Sequence, residues 1–220
     1  MNYNQNNLIP VIYASEYDDI ATSFLENYCP KALTTPMAVP ISDIAKSEMG
    51  LNLVKECLSE ELDIFGVTIF SDGMVDIYDI EKGVYESRFF KKKTVIIDPY
   101  AYQKTNTGCL NNTIAHECVH WYKHRLFFKM QDLVLPRRAK ICKCHVSQLP
   151  TETEEENIME DQAIGIAPRI LMPTKPFEEA AEEFGVKVGG ENSMVISKLA
   201  ELFSVSKQSV SIRLDECRLI

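Results

Sequence analysis

The sequence lacks an apolar run of the length that a membrane span needs, and its polar N-terminus lacks the charged-then-apolar pattern of a signal peptide. Its seven cysteines are an odd number without a repeating spacing, which argues against the disulfide framework of a small secreted protein. Internal repeats and low-complexity linkers are absent too. Together these absences predict a reduced, cytoplasmic protein.

The chain has no excess of basic charge, since its net charge is −9 at pH 7. An acidic chain is a poor candidate for non-specific binding to nucleic acid. The charge is uneven, because acids dominate residues 151–185 and bases dominate residues 123–143. Both stretches are typical of solvated helix surface, and a docking surface is the alternative. A length of 220 residues, 45% of them hydrophobic, is sufficient to bury a core.

Hydrophobic spacing and turn residues predict helices at the start of the chain and strands after them. The first helix begins at a capping box formed by Ser15 and Asp18 and ends before Pro30. Ser42 caps a short helix that Gly50 closes. The predicted strands are a hairpin of residues 67–70 and 74–78 with the turn 71–73, and a strand over residues 94–97.

The second half of the chain is predicted to be mainly helical. Asn111 or Asn112 caps a helix that extends to about Met130 and is apolar nearly all round, so it should be buried. Loop or a short strand follows over residues 137–150. Further helices are predicted over residues 151–171 and 174–184, from Ser193, and from Ser206 to the C-terminus. Strands followed by helices are typical of an α+β fold.

The most informative stretch is an HExxH motif, in which His116 and His120 lie four residues apart with Glu117 beside the first. Such histidines share one face of a helix, so both imidazoles can reach a single metal ion. Zinc lowers the pKa of a water molecule that it binds to roughly 7, and Glu117 could take the proton of that water. The motif therefore predicts zinc-assisted hydrolysis of an amide bond.

A zinc site of this kind needs a third protein ligand, and a separate helix usually supplies it. Glu160 is the best candidate, because it is acidic yet embedded between the apolar residues 158–159 and 163–167. Glu156, one turn earlier, is the competitor. Glutamates in an acidic run are mostly solvated, so spacing alone leaves the choice between the two open.

Several segments of the sequence resemble the ImmA/IrrE family of metallo-endopeptidases. They are the HExxH segment 116–121, the segment 159–163 around Glu160, the segment 167–173 with its Leu-Met-Pro ending, and, more loosely, residues 98–99, 112–114 and 199–214. The resemblance covers roughly residues 60–216, and its two main motifs are specific. Ile164 departs from the family pattern, in which Asn or Asp often stands at this position. A hydrogen bond that would orient a metal ligand is therefore missing or replaced.

The resemblance implies that His116, His120 and Glu160 hold one zinc ion and that Glu117 is the general base. We expect an α+β fold in which a small antiparallel or mixed β-sheet packs on the HExxH helix and the glutamate helix. The expected domains are a zinc metallopeptidase domain over residues 1–185 and a C-terminal helical hairpin over residues 186–220. The implied substrate is a helix-turn-helix repressor, whose cleavage relieves repression of stress-response or mobile-element genes.

Four side chains could each donate a hydrogen bond to a tetrahedral oxyanion: Tyr100, Tyr102, Tyr122 and His124. His124 continues the face of the motif one turn on and is the most favoured of the four to lie near the metal. Aromatic side chains that flank a buried helix are nevertheless more often part of the core. We therefore assign none of these side chains a catalytic role from the sequence.

The cysteines near the motif are better explained by loop thiols or packing in the core than by a catalytic or metal-binding role. Cys142, Cys144 and His145 have metal-binding side chains, but a lone Cys-x-Cys-His without a second half is a weak zinc signal. Loop thiols or core packing is the favoured interpretation. Cys118, inside the motif, is expected to be a small buried residue and not a nucleophile.

Residues 199–214 resemble a DNA-binding helix-turn-helix, whose second helix offers Lys207, Gln208 and Arg213. The same spacing is ordinary for a helical hairpin, which is the favoured interpretation. The alternative function is a non-enzymatic, zinc-containing transcription regulator that binds DNA or a repressor through these helices. An intact Glu117 favours the enzyme, because a structural zinc site needs no base beside an open coordination position. No membrane partner is expected.

Overall fold

The computed structural model describes residues 3–4, 8–100, 107–134, 141–145 and 153–220. Within these ranges the fold is α+β, as the sequence predicts. The helices are α1 (Tyr17–Tyr28), α2 (Ile41–Asp43), α3 (Thr107–Val119), α4 (Arg125–Val134), α5 (Glu154–Leu171), α6 (Thr174–Glu183), α7 (Ser193–Phe203) and α8 (Lys207–Glu216). The strands are β1 (Asn52–Lys55), β2 (Ile64–Ile69), β3 (Gly73–Asp79), β4 (Val84–Phe90), β5 (Thr94–Ile97) and β6 (Ile141–His145).

A four-stranded mixed sheet in the order β1-β5-β2-β6 packs against α3. β1 runs parallel to β5, whereas β2 is antiparallel to both β5 and β6. β2 and β5 lie inside the sheet and are almost entirely buried, which explains their continuous apolar sequences. Within the described residues, β6 pairs only with β2 and is therefore an edge strand.

The predicted hairpin of residues 67–70 and 74–78 is wrong. β2 pairs with β5 and β6, and β3 instead forms a separate two-stranded sheet with β4. Gly73 is the first residue of β3 and lacks the positive φ that a tight hairpin turn needs, whereas Gly83, with φ of 65°, closes the β3–β4 turn. Asp72 accepts a hydrogen bond from the backbone of Lys92, so the Asp-Gly turn carries the chain from one sheet to the other.

The helical turns near the N-terminus are where the sequence predicts them, but their caps differ. A short 3₁₀ turn over Ala14–Glu16 precedes α1, and Glu16 accepts a hydrogen bond from the backbone N–H of Tyr13, so the capping box is not formed by Ser15 and Asp18. The second helical turn starts at Ile41, and Ser42 does not cap it.

One long helical segment carries the HExxH motif. α3 ends at Val119, a π-helical turn spans His120–His124, and α4 follows directly. The predicted cap at Asn111 or Asn112 is wrong, because α3 has begun by Thr107 and both residues lie inside it. A π-helical turn inside an α-helix is frequently found at a functional site.

The C-terminal helices pack on the start of the motif helix. Asn111 Nδ2 donates to the Ser204 carbonyl oxygen at 2.8 Å. A Cβ added to Gly108 would lie 2.1 Å from the Val205 carbonyl carbon, so only glycine allows the first turn of α3 to approach the α7–α8 connection so closely. The predicted cap at Ser206 is confirmed, because its Oγ accepts a hydrogen bond from the backbone N–H of Ser209.

The predicted helices around Glu160 are also confirmed. Thr153 caps α5 by accepting a hydrogen bond from the backbone N–H of Glu156, and Met172 ends the helix before Pro173. α6 ends at Glu183, and Gly185 follows with a positive φ. Buried residues of α1, α3, α5, α7 and α8 share one hydrophobic core, while the predicted division between residues 185 and 186 stays a prediction.

The helices of the described chain are all too short or too polar to span a lipid bilayer. The cysteines whose side chains are described are free thiols: Cys29, Cys57, Cys109, Cys118, Cys142 and Cys217.

A charged network ties α1 to the helices that follow the motif. Asp18 accepts hydrogen bonds from Arg213 Nη2 at 2.5 Å, from Thr174 Oγ1 at 2.7 Å and from Arg169 Nε at 3.1 Å. Arg213 is buried and also donates to the Met172 carbonyl oxygen and to Glu216. Burial opposes ionisation of Asp18, but the hydrogen bonds from Arg213 and Thr174 outweigh it and lower the pKa of the carboxyl.

Asp18→Ala should lower the free energy of unfolding by about 1.5–3 kcal/mol at neutral pH, because it deprives the buried Arg213 guanidinium of one of its two carboxylate partners, the other being Glu216. The pKa of Asp18 is below its usual 3.8, so its contribution is complete above that pH and is lost as the pH falls through the lower value of the folded protein. Urea denaturation at pH 7 and pH 3 measures both effects. Asp19→Ala, an exposed change on the same helix, should stay within about 0.5 kcal/mol of wild type. Equal losses for the two variants at pH 7 would contradict the role of the network.

Candidate metal centre

The two motif histidines converge in the interior of the protein. His116, near the end of α3, and His120, in the π-helical turn, are almost completely buried. Their Nε2 atoms are only 2.8 Å apart. Two imidazole lone pairs repel each other at this distance unless a proton or a cation lies between them. The geometry of the pair therefore suits a shared cation.

Glu160 on α5 completes a three-residue group. Its Oε2 lies 3.1 Å from His116 Nε2 and its Oε1 lies 3.0 Å from His120 Nε2. In the described part of the chain, the group of side chains that could hold a metal ion consists of His116, His120 and Glu160. Glu156 lies one turn earlier, at the capped start of α5.

Electrostatics at the group suit a divalent cation. Burial lowers the pKa of His120 and so favours the neutral imidazole, which is the form that binds metals. Burial opposes ionisation of Glu160, but the hydrogen bond with His116 contributes to a pKa far below the usual range, so the group is a carboxylate. Two histidine nitrogens and one carboxylate are a ligand set typical of catalytic zinc sites.

Glu117 points the other way, towards the sheet. Its Oε2 accepts a hydrogen bond of 2.6 Å from Thr68 Oγ1 on β2. Its Oε1 is buried and has no hydrogen-bond partner among the described residues. Burial raises the pKa of Glu117 to about 8. Leaving a buried hydrogen-bond acceptor without a partner costs free energy. This oxygen therefore suits a position where a water molecule binds or a proton arrives from solvent.

Gly66 on β2 makes room for that carboxylate. A Cβ at this position would lie 2.8 Å from Glu117 Oε1 and 2.9 Å from Thr113 Cγ2, closer than side chains pack. The register of β2 against β6 shifts between Ile64 and Gly66. The glycine is therefore required by the close approach of α3 to the sheet.

A chain of hydrogen bonds behind His120 determines which of its nitrogens can bind a metal. The Pro10 carbonyl oxygen can only accept, so Gln162 Nε2, 2.9 Å away, donates to it. Gln162 Oε1 then accepts from His124 Nε2 at 3.0 Å, which leaves His124 Nδ1 as an acceptor for His120 Nδ1 at 2.9 Å. Burial lowers the pKa of His124 well below the usual value, so its ring is neutral. His120 therefore carries its hydrogen on Nδ1 and presents the lone pair of Nε2 to the cluster.

Cys142 is buried in a small hydrophobic cluster, as the favoured sequence interpretation predicts, and its thiol also reaches this centre. Its Sγ lies 3.1 Å from Glu160 Oε1 and 3.7 Å from His120 Nε2. Burial and the Glu160 carboxylate raise the pKa of this thiol well above its usual range. The Cys-x-Cys-His pattern contains metal-binding side chains. Only the pairing of β6 with β2, however, brings Cys142 to the motif helix.

His124, the favoured of the four candidate oxyanion donors, does lie beside the cluster, against His120. Both ring nitrogens of His124 are engaged by His120 and Gln162. Tyr122 packs edge-on against Phe24 in the core. Tyr100 is partly exposed, and Tyr102 lies outside the described residues. Cys118 is buried in the main core, as the sequence predicts.

The C-terminal helices are built for packing. Arg213, which the helix-turn-helix resemblance offers for DNA, is committed to the buried network with Asp18. Ser204 ends α7 in the left-handed conformation, and α8 follows after a short connection. The exposed positions of α8 include Lys207 and Gln208 but also Asp215 and Glu216.

Part of the chain, which does not include the HExxH motif, matches the model of one protein family. Residues 135–215 match the family model Peptidase_M78, described as the IrrE N-terminal-like domain. The match confirms the resemblance to the ImmA/IrrE family, and its matched residues include Glu160 and follow the HExxH motif in the chain. No curated protein is significantly similar to the chain.

The fold itself is similar to a solved structure of a Mycobacterium tuberculosis transcriptional regulator, with a TM-score of 0.50 and 14% sequence identity. The similarity covers 92% of this chain and 47% of the regulator. The chain therefore spans about half the length of that protein, and the likeness concerns the fold alone.

Glu160→Ala should abolish tight metal binding, whereas Glu156→Ala should leave it unchanged, because only Glu160 contacts both histidines. Chelator competition on the purified full chain, loaded with zinc, measures the affinity of each variant. The two substitutions lie on the same helix one turn apart and make a matched pair. Equal affinities for wild type and the Glu160 variant would remove Glu160 from the metal centre.

Gln162→Leu should weaken metal binding by about 10–100-fold, although Gln162 does not touch the metal position. Without the amide oxygen, His124 is free to carry its hydrogen on Nδ1, and His120 then loses the partner that keeps its own hydrogen away from Nε2. The same competition assay applies, with Gln208→Leu on the surface of α8 as the control. Unchanged affinity in the Gln162 variant would mean that the chain does not hold the His120 tautomer.

Proposed function

We propose that the protein is a zinc-dependent endopeptidase in which His116, His120 and Glu160 hold the metal and Glu117 is the general base. The observation that carries the proposal is the buried Oε1 of Glu117, which has no partner in the described chain and belongs to the residue next to His116, one of three converging metal donors. A structural zinc site has no use for an unsatisfied base at its side. The match to a peptidase family supports the same reaction class.

The side chains of the site have distinct tasks in peptide hydrolysis. A bound zinc ion would polarise a water molecule and the peptide carbonyl, and its positive charge would favour the ionised form of Glu117. Thr68 holds Glu117 through Oε2, so Oε1 is the atom that accepts a proton from the attacking water. Glu117 then delivers that proton to the leaving amine. The hydrogen-bonded chain from Pro10 keeps His120 in place throughout.

The substrate class is an extended segment of another protein. β6 carries Cys142 at the cluster and has a free edge within the described residues, so a peptide can add to it as a further strand and pass the metal position. The acidic surface at the start of α5, with Glu154 and Glu155, would attract a basic, DNA-binding protein. The family resemblance favours a helix-turn-helix repressor, which would place the reaction in the cytoplasm.

The second candidate function is a zinc-containing regulator without peptidase activity. Two observations favour it: the fold neighbour is named a transcriptional regulator, and the thiol of Cys142 lies close enough to the donors to close the site. DNA binding through α8 is the weaker part of this candidate, because Arg213 is buried in an internal network. Salt-dependent DNA binding by the purified full chain would favour it.

Glu117→Gln should reduce cleavage of a repressor substrate by at least about 100-fold while one zinc ion stays bound, because the amide cannot take a proton but is not part of the ligand set. The substrate to test first is the repressor encoded nearest the gene, and gel analysis with mass spectrometry of the fragments measures the cut. Glu156→Gln, on the acidic start of α5, is the control and should cut at the wild-type rate. Loss of zinc from the Glu117 variant would show that this residue is a ligand and not the base.

A further inference from the structure

The position of Cys142 follows from strand pairing. Cys142 lies directly opposite Thr68 in the antiparallel β2–β6 pair, and opposite residues point to the same face of a sheet. Thr68 holds Glu117, so this face is the one that meets the motif helix. Cys142 is buried, at 4% exposure, and its sulfur is aimed at the donor cluster.

Two of the distances from the sulfur approach those of a coordination tetrahedron. With zinc bonds of about 2.3 Å to sulfur and about 2.0 Å to nitrogen or oxygen, tetrahedral angles separate sulfur from a neighbouring donor by about 3.5 Å. The observed separations are 3.7 Å to His120 Nε2 and 3.1 Å to Glu160 Oε1. The thiol therefore lies within ligand reach of two of the three donors.

A second observation concerns the residue that follows His116 in the motif. Glu117 Oε1 is fully buried and has no hydrogen-bond partner in the described chain, so it needs a water molecule as its partner. In the proposed peptidase that water would also bind the metal, and the thiol of Cys142 would compete with it for the fourth position.

We propose that Cys142 is a fourth metal donor, which competes with water and holds part of the protein in a latent form. In the step that closes the site, the S–H bond breaks and its proton goes to solvent, the sulfur bonds to the metal, and one water molecule leaves. Opening reverses each change, and no group is oxidised or reduced. The metal ligation stands on the geometry of the cluster alone, whereas the latency rests on the proposed peptidase function.

Cobalt substitution tests the ligation without reference to activity. Full-length protein loaded with Co²⁺ should show the near-ultraviolet band of thiolate-to-cobalt charge transfer. Cys142→Ser and Cys142→Ala should both lose the band, bind the metal at least about tenfold more weakly in chelator competition, and keep the wild-type circular dichroism. Cys118→Ala, which removes the buried thiol of the motif helix, should keep the band.

Two results would overturn the ligation: a wild-type Co²⁺ spectrum without the band, or a band that persists in both Cys142 variants. The latency has its own readout, because Cys142→Ser loaded with zinc should cut the repressor at least about tenfold faster than wild type. An unchanged cleavage rate would overturn the latency. A wild-type band together with no cleavage by any variant would instead refute the peptidase function and leave the fourth ligand in place.

Discussion

The approach of α3 to β2 at Glu117 is the constraint on which the rest of the centre depends. A fully buried carboxylate is tolerated only where its surroundings compensate for the lost hydration. Thr68 supplies a hydroxyl to one oxygen, and Gly66 leaves space for the other, so the sheet accommodates the side chain. His116 precedes Glu117 in the same helix, and any shift of α3 away from the sheet would move the metal donors as well. The sheet therefore fixes the centre from one side.

The remaining donors are held from distant parts of the chain. His120 is oriented through His124 and Gln162 by a carbonyl near the N-terminus, Pro10. Glu160 belongs to α5, and the charged network around Asp18 ties that helix to α1 and α8. Gly165 reinforces this tie, because any Cβ there would overlap the ring of Tyr17. The geometry of the centre is thus a property of the whole fold and not of the motif alone.

The sequence predicts those features of the protein that depend on residues close together in the chain. The HExxH spacing requires only a helix, and the apolar context of Glu160 makes it the better of two candidates, although only the family resemblance favours it decisively over Glu156. The predicted hairpin failed because β2 takes its partners from residues about 30 and 75 positions away, and the Asp-Gly turn is a local signal that such pairing overrides. The packing predicted for Cys142 is confirmed, but its contacts with His120 and Glu160 have no local signal, because these residues come from other elements. The π-helical turn at His120 has no signal in the spacing of the residues.

The edge of β6 that no described strand covers has a consequence for how a substrate protein would be chosen. An edge strand pairs only with a segment in extended form, whereas the repressors suggested here are helical. Such a segment must first open locally, and each 1.4 kcal/mol of opening free energy makes the open form about tenfold rarer. Selection would then depend on the local stability of the substrate more than on the residues that flank the cleaved bond. A bound, well-folded repressor would be spared, and one that has lost its partner or its ligand would be cut.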